Sequence, residues 1–381
     1  MNQHRKVRVL HVAMGLGYGG MERLLFEMIR RSDRDRFEYH VLNLEAIGRF
    51  GQGLDQYATV RLAKPQNRLS LLRPVGLKRE IAEIAPDVVH SHSGVWYKAS
   101  RAARMAGVPR VVHTEHGRAL SEPWLDRRLD ALASARTDCV VAVSNAVADI
   151  LKTRIVKRPD RVSVIANGVD VERFRPMADD GSIRAELRIP ALSPILGSIG
   201  RLEPVKGYEV MVDAFAHLMR SWTGAGRPVL VIAGDGSERG ALVERAAGAG
   251  IADDVRWMGW RDDIHTLHSA FDLFTMSSHS EGTSVSLLEA MSAQLCPIVT
   301  DVGGNAAVLG STLRHRLVAP RDPGALATAW RDALVDPSRR SADAAAARAR
   351  VLEAFTLDVM VRAYERLYEG KAPAIANRRS A

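Results

Sequence analysis

Short apolar runs alternate with amphipathic stretches along almost the whole chain. Residues 7–13, 39–44, 88–90, 110–114, 140–143 and 162–165 have the length and β-branched content of buried strands. Between them, residues 21–30, 77–84, 98–105 and 146–152 carry apolar positions at helical spacing. The pattern then restarts, with strands expected at 195–199, 229–233, 255–258, 273–276 and 297–300 and helices at 208–219, 237–247 and 285–293. A last helical period runs through 356–368. Strands alternating with helices imply right-handed βαβ units and parallel sheets covered on both faces. Two such series read as an α/β protein of two Rossmann-like, doubly wound domains rather than one barrel. The domains are expected at 1–177 and 178–355, with 356–381 as a closing helix and tail. The break is placed at 174–182, where Pro176 and Gly181 interrupt a polar stretch.

Composition changes this picture little. An apolar fraction of 46% and a charged fraction of 25% are ordinary for a globular chain of 381 residues. Cys139 and Cys296 each sit in a strand-like run and read as buried thiols rather than a disulfide or a nucleophile. The first apolar run contains Arg8 and His11 and leads into glycines, so it reads as a strand and not a signal peptide. No stretch approaches the roughly 20 apolar residues of a membrane span, and a cytoplasmic protein is expected. Charge is uneven: residues 1–177 hold 30 Lys+Arg against 19 Asp+Glu, the remainder 23 against 25. A basic first half suits an anionic partner such as lipid headgroups or nucleic acid, and equally a solvated basic surface. Sparse aromatics and the lack of a binding motif weigh against nucleic acid.

Four motifs can carry chemistry. Gly15-Leu-Gly17-Tyr-Gly19-Gly20 follows the first strand and precedes a helix, where glycines let backbone approach an anion. With Glu45 ending the second strand, it also fits an NAD-dependent oxidoreductase. His90, His92, His113 and His116 fall at strand ends. They could ligate a metal, but they read better as polar groups lining a cleft, with His116 before Gly117 best placed for a substrate. Arg201 and Lys206 lie on one loop after a strand, a fork and a point charge suited to a diphosphate. Finally, His279-Ser-Glu281-Gly-Thr-Ser-Val-Ser-Leu-Leu-Glu289 follows a strand. Thr283 or Ser284 can cap the next helix, and the N–H groups of Ser284, Val285 and Ser286 can receive phosphate. Glu281 and Glu289 would then flank the phosphate, and carboxylates there suit sugar hydroxyls. Asp33-Arg-Asp35 matches D-x-D by count but reads as solvated surface.

Together these segments resemble the family-4 retaining glycosyltransferases of GT-B fold, in which two Rossmann-like domains face each other across a cleft. The resemblance runs from Val7 to about Tyr368. Its most specific part is the E-x7-E signature at Glu281 and Glu289, followed by Thr300-Asp-Val-Gly-Gly304. It implies that Arg201 and Lys206 bind the donor diphosphate, Glu289 the ribose and Glu281 the donor hexose. It further implies that His116 lines the sugar and acceptor pocket and that Gly19 and Gly20 meet the phosphates. Gly234, Asp235 and Gly236 would lie near the base. The implied reaction moves a hexose from a UDP- or GDP-type sugar nucleotide to a glycan or lipid-linked acceptor with retention, with no obligate metal or cofactor. The acceptor-holding first domain would sit at an anionic inner-membrane face through Arg30, Arg31, Arg73, Lys78, Arg79, Arg127 and Arg128. A sugar-nucleotide epimerase of the same fold is the near alternative. The chain departs from the pattern at Gln294, where a small Gly is usual, and at Asn305, where a Glu often follows Val-Gly-Gly. The first change is expected to reshape the loop before Cys296, the second to remove a helix cap.

Overall fold

The structure is a computed structural model, and it describes residues 5–17, 19–65, 71, 73–117 and 123–372. The tail expected beyond Lys371 lies, after Ala372, outside the described residues. The chain divides into two compact units. The first holds the described residues up to Gly168 and takes back the chain from Leu357; the second is Val169–Thr356. The division thus falls ahead of the Pro- and Gly-bearing stretch at 174–182. Phe174 is the reason: it is buried in the second unit with its ring edge on His268, and Val169 N donates to Phe355 O at 2.8 Å.

In the first unit the order is β1 (Val7–Gly15), α1 (Gly20–Arg31), β2 (Phe37–Ala46), α2 (Arg49–Gln52), β3 (Thr59–Leu62), α3 (Val75–Ile84), β4 (Val88–His92), α4 (Trp96–Met105), β5 (Arg110–Glu115), α5 (Trp124–Ser134), β6 (Cys139–Ala142), α6 (Asn145–Arg154) and β7 (Val162–Val164). The second unit follows with α7 (Ser182–Glu186), β8 (Ile195–Ile199), α8 (Tyr208–Ser221), β9 (Val229–Ala233), α9 (Arg239–Gly248), β10 (Val255–Gly259), α10 (Ile264–Ala270), β11 (Leu273–Met276), α11 (Val285–Ser292), β12 (Pro297–Thr300), α12 (Asn305–Leu309), β13 (Leu317–Val318), α13 (Pro323–Val335) and α14 (Pro337–Ala354). Helix α15 (Leu357–Tyr368) belongs to the first unit.

Each unit contains one parallel sheet, ordered β3-β2-β1-β4-β5-β6-β7 in the first and β10-β9-β8-β11-β12-β13 in the second. In both, the chain winds outward from the first strand, then crosses to its other side, so the order reverses at β1/β4 and at β8/β11. Loops diverge at such a point and leave a crevice beyond the carboxyl ends of the strands. Strand alternation sorts the side chains of the first sheet. Leu10, Val12 and Val89 face one way, into a core with Leu77 and Ile81 of α3 and Ala99 and Ala103 of α4. His11 and His90, register partners on β1 and β4, belong to the other face, where His90 meets Tyr364 and Tyr368 of α15. The second core gathers Leu196, Leu230, Ile232, Phe215 and Trp330, and Trp330 Nε1 donates to Thr275 Oγ1 at 2.9 Å.

Candidate active site

In the second unit the loops that leave β8 and β11 clasp each other at the point of strand reversal. His279 N donates to Val205 O at 2.8 Å and Ser277 Oγ to Lys206 O at 3.3 Å. Gly207 makes this approach possible: its φ is +61°, and a Cβ there would stand 2.3 Å from Ser277 O. The loop after β12 closes on the same place, with Gly304 N donating to Gly282 O at 2.9 Å. Gly303, at φ +56°, would press a Cβ to 1.8 Å from Glu281 O. Only glycine tolerates both demands, so the Val-Gly-Gly segment fixes the backbone of Glu281.

Glu281 and Lys206 meet directly. Lys206 Nζ donates to Glu281 Oε1 at 2.7 Å, and Ser278 Oγ donates to the same oxygen at 2.6 Å. The Glu281 side chain is 7% exposed and that of Lys206 22%. Both bonds fall on Oε1, so among the described residues Oε2 is the oxygen available to an incoming hydroxyl. Arg201 is exposed on the same loop system. The first turn of α11 lies directly down-chain. Ser284, not Thr283, is its cap, with Ser284 Oγ accepting from Leu287 N at 3.4 Å. Helix geometry gives the N–H groups of Val285 and Ser286 no carbonyl four residues back within the helix, which makes this end attractive to an anion. Thr283 and Ser284 are buried, Val285 and Ser286 partly exposed, and Glu289 is buried one turn further on. Sequence reasoning placed these residues on one loop and helix; the ion pair and the Ser278 contact come from the fold. His279, whose Nε2 lies 2.7 Å from Glu209 Oε1, was not singled out for a role, and its position beside Glu281 was the available signal.

Gly234, Asp235 and Gly236 follow β9 and pack along the β8 loop, where Leu202 N donates to Asp235 O at 3.0 Å. Gly234 N also donates to Gly259 O at 2.7 Å. Asp235 is exposed, with Arg239 3.4 Å from its carboxylate. Both departures from the family pattern have local accounts. Gln294 takes φ +62°, the left-handed conformation in which a helix-ending Gly would sit. Asn305 makes no cap; it is buried and its Nδ2 donates to Thr300 O at 2.9 Å.

In the first unit Gly19 and Gly20 open α1, Gly19 as its N-cap. The histidine cluster differs from a cleft lining. His90 and His92 are 0% and 2% exposed, inside the unit, because their alternating positions on β4 face the layer under α15 rather than the strand ends. His113 is stacked flat on Trp96 at 4.0 Å. Only His116, just past β5, is partly exposed, and burial lowers its pKa to about 4. His11, absent from the sequence-based cluster, joins it: His11, His90 and His92 hold ring nitrogens within 4.8 Å of one another. A cavity of about 670 Å³ opens beside this group, lined by Met14, Glu45, Ser93, Lys98, Glu115 and Asp126 among others. Asp33 and Asp35 form a turn, with Asp35 N bonded to Asp33 Oδ1 at 2.9 Å. Both cysteines are buried thiols, and burial pushes the Cys296 pKa up to about 11. Among the described residues no helix is long and apolar enough to cross a membrane.

Comparison with known proteins agrees with the geometry. The chain is 28% identical to the UDP-Gal:alpha-D-GlcNAc-diphosphoundecaprenol alpha-1,3-galactosyltransferase of Escherichia coli, over 79% of this chain and 81% of that one. It is 31% identical to EpsF of Bacillus subtilis (strain 168), assigned as a glycosyltransferase, over 79% and 80%. The crystal structure of Anabaena Alr3699/HepE in complex with UDP and glucose superposes with a TM-score of 0.83 at 21% identity, over 96% of this chain and all of that one. The fold is therefore the two-unit GT-B arrangement of parallel sheets. The helix after Gly15–Gly20 thus opens a glycosyltransferase region, not a nicotinamide one. The chain belongs to the glycosyltransferases: residues 18–173 match Glycosyltransferase Family 4 and residues 179–350 match the group 1 glycosyl transferases.

Proposed function

We propose that this glycosyltransferase moves a hexose from a UDP- or GDP-linked donor to a glycan or lipid-linked acceptor, with retention of anomeric configuration. The Lys206–Glu281 pair carries this reading: a cation and a nearly buried carboxylate at 2.7 Å, beside the open end of α11. Lys206, Arg201 and the N–H groups of Val285 and Ser286 supply positive potential for a diphosphate. Glu281 Oε2 suits a hexose hydroxyl and Glu289 the ribose. Gly19 and Gly20 would meet the donor phosphates, Gly234, Asp235 and Gly236 the base. In the reaction the C1–phosphate bond breaks and a bond from C1 to the acceptor oxygen forms on the same face. The acceptor's proton passes to a donor phosphate oxygen. Fixed cations and helix N–H groups stabilise the charge growing on the leaving diphosphate, a preorganised electrostatic effect. This scheme assigns charge neutralisation to protein groups and calls for no obligate metal. The E. coli relative is named for a UDP donor and a lipid-linked acceptor, and the Anabaena structure for UDP and glucose, so UDP-hexoses are the first donors to test. The chain is expected to turn over one such donor with a diphosphate-polyprenol glycan and to give a product with the donor's anomeric configuration by proton NMR. An inverted product would overturn retention; donor turnover without any acceptor would point to the epimerase instead.

The acceptor is assigned to the first unit, and its basic face to an anionic membrane. Arg30 and Arg31 are weak contributors: Arg30 bonds Glu27 at 2.6 Å and Arg31 bonds Asp358 at 3.3 Å. Helix α5 is better equipped. Trp124 is 61% and Leu125 50% exposed, Arg128 lies over the Trp124 ring at 4.9 Å, and Arg127 is exposed. An apolar edge bearing an aromatic and cations is the composition of an interfacial helix. Removing both arginines is expected to weaken binding to phosphatidylglycerol vesicles by about 2 kcal/mol, roughly thirtyfold. Equal sedimentation with purely zwitterionic vesicles would refute the assignment of the basic face to anionic lipid.

A further inference from the structure

The donor chemistry leaves the buried His11 and His92 unused, and their hydrogen bonds form a line with His116. His11 Nδ1 lies 3.1 Å from His92 Nε2, and His92 Nδ1 lies 3.1 Å from His116 Nε2. The line has two ends, His11 Nε2 and His116 Nδ1; both atoms are buried, and neither has a partner among the described residues. His90 stands beside it but outside it: its two ring nitrogens are taken by Tyr368 Oη and Thr114 Oγ1, both at 2.7 Å. That full engagement argues against a metal held by His11, His90 and His92, since a ligating nitrogen would have to give up a hydroxyl.

Each N···N contact needs one N–H and one bare nitrogen. Burial disfavours the charged imidazolium at His11, His92 and His116, so each ring carries one proton. Only two arrangements then satisfy both contacts. In one, every ring donates from Nδ1, which leaves a bare nitrogen at His11 Nε2 and an N–H at His116 Nδ1. In the other every ring donates from Nε2, which strands an N–H at His11 in the interior. Both outer nitrogens are buried and without a partner among the described residues, so either arrangement leaves one N–H without an acceptor. His11 is 0% exposed, whereas His116 is partly exposed and a ligand can supply the acceptor there, which selects the first arrangement. Because His11 is 0% exposed and its outer nitrogen has no partner among the described residues, the line shows no inner outlet for a proton there. Its effect is orientation.

We infer that His92, backed by His11, is a positioning residue that locks His116 in its Nδ1–H tautomer, so that His116 meets its ligand as a hydrogen-bond donor. This rests on the reading that His116 faces the sugar or acceptor. The backbone is held as well: His116 N donates to Ser93 Oγ at 3.3 Å, and Ser93 Oγ donates to Glu115 Oε1 at 2.8 Å. Ring plane, tautomer and main chain are thus all set from β4 and its following loop.

The test is long-range proton–nitrogen NMR of the full chain with ¹⁵N-labelled histidine, which distinguishes a protonated from a bare ring nitrogen. In the wild type, His116 is expected to be protonated at Nδ1 and bare at Nε2. His92→Phe keeps a ring of similar size and should return His116 to the Nε2–H form that free imidazole side chains prefer. With the lock lost, kcat should fall about ten- to a hundredfold with donor KM unchanged. His92→Asn, whose amide can donate from near the Nδ1 position, should recover part of both. An Nε2–H His116 in the wild type overturns the proposal even if His92→Phe does not fold. So does stoichiometric uptake of added Zn²⁺ that shifts His11, His90 and His92 together. A tautomer that behaves as expected while turnover stays constant would instead overturn the placement of His116 at the ligand and leave the lock intact.

Discussion

Lys206→Ala is expected to lower kcat by about a thousandfold, the scale of removing one preorganised charged donor from a developing oxyanion. The loss has two parts. The cation that would face the diphosphate is gone, and Glu281, only 7% exposed at its side chain, keeps a carboxylate whose remaining partner among the described residues is Ser278. An unpaired carboxylate at that depth also costs stability, roughly 1–3 kcal/mol once the partial exposure of Lys206 is allowed for. The two parts separate in a double-mutant cycle. Glu281→Gln added to Lys206→Ala removes the stranded charge, so the melting temperature should return most of the way. Turnover should not return, because neither substitution restores a cation or a carboxylate acceptor for the hexose. Recovery of both in the double variant would mean that the pair is only a structural clasp between two strand-end loops, and the donor scheme would fall with it.

Strands such as Val229-Leu-Val-Ile-Ala233 were legible to the residue because both faces are buried and every position is apolar. Strand β3 was not, because Thr59, Arg61 and Leu62 are exposed at the sheet edge and leave no alternation to read. Helices α13 and α14 were missed for a different reason. Alanines on both faces of α14 dilute its period, although Ala344, Ala347 and Val351 are buried. A better signal was present: Asp322-Pro323 and Asp336-Pro337 each put a capping carboxylate before a proline in the first turn. At the site, Glu281 and Lys206 were legible as residue types in position, but their contact spans 75 positions and depends on β8 lying next to β11. The histidine line was hidden more deeply. A lone His11 in an apolar strand carries no pattern of its own, and only the β1–β4 register sets it level with His90 and within reach of His92.

The second large effect concerns the end of the chain. Helix α15 lies far in sequence from the sheet it covers, yet it completes the polar layer of the first unit. Tyr368 Oη meets His90 Nδ1 at 2.7 Å, and Tyr364 Oη lies 3.1 Å from Thr114 Oγ1. Glu365 accepts from Ser32 Oγ at 2.7 Å and from Asp33 N at 2.8 Å, and Arg36 bonds Glu365 and Glu369. Leu357, Met360, Val361 and Leu367 are all buried with the two tyrosines. At about 1.5–3 kcal/mol for each buried apolar side chain the helix contributes on the order of 10 kcal/mol, comparable to the 5–15 kcal/mol that typically holds a domain together. A chain ending at Thr356 should therefore keep a folded second unit and lose the first. Hydrogen exchange would read this directly: amides of β1 and β4 should lose protection while those of β8 and β11 keep it. Tyr368→Phe gives the graded version, because it strips one bond from His90 without opening a cavity, at about 1–3 kcal/mol. Full protection of β1 and β4 in the truncated chain would mean that the sheet and its α3–α4 face suffice on their own. The histidines on the opposite face would then tolerate water, which is the condition their burial and lowered pKa values argue against.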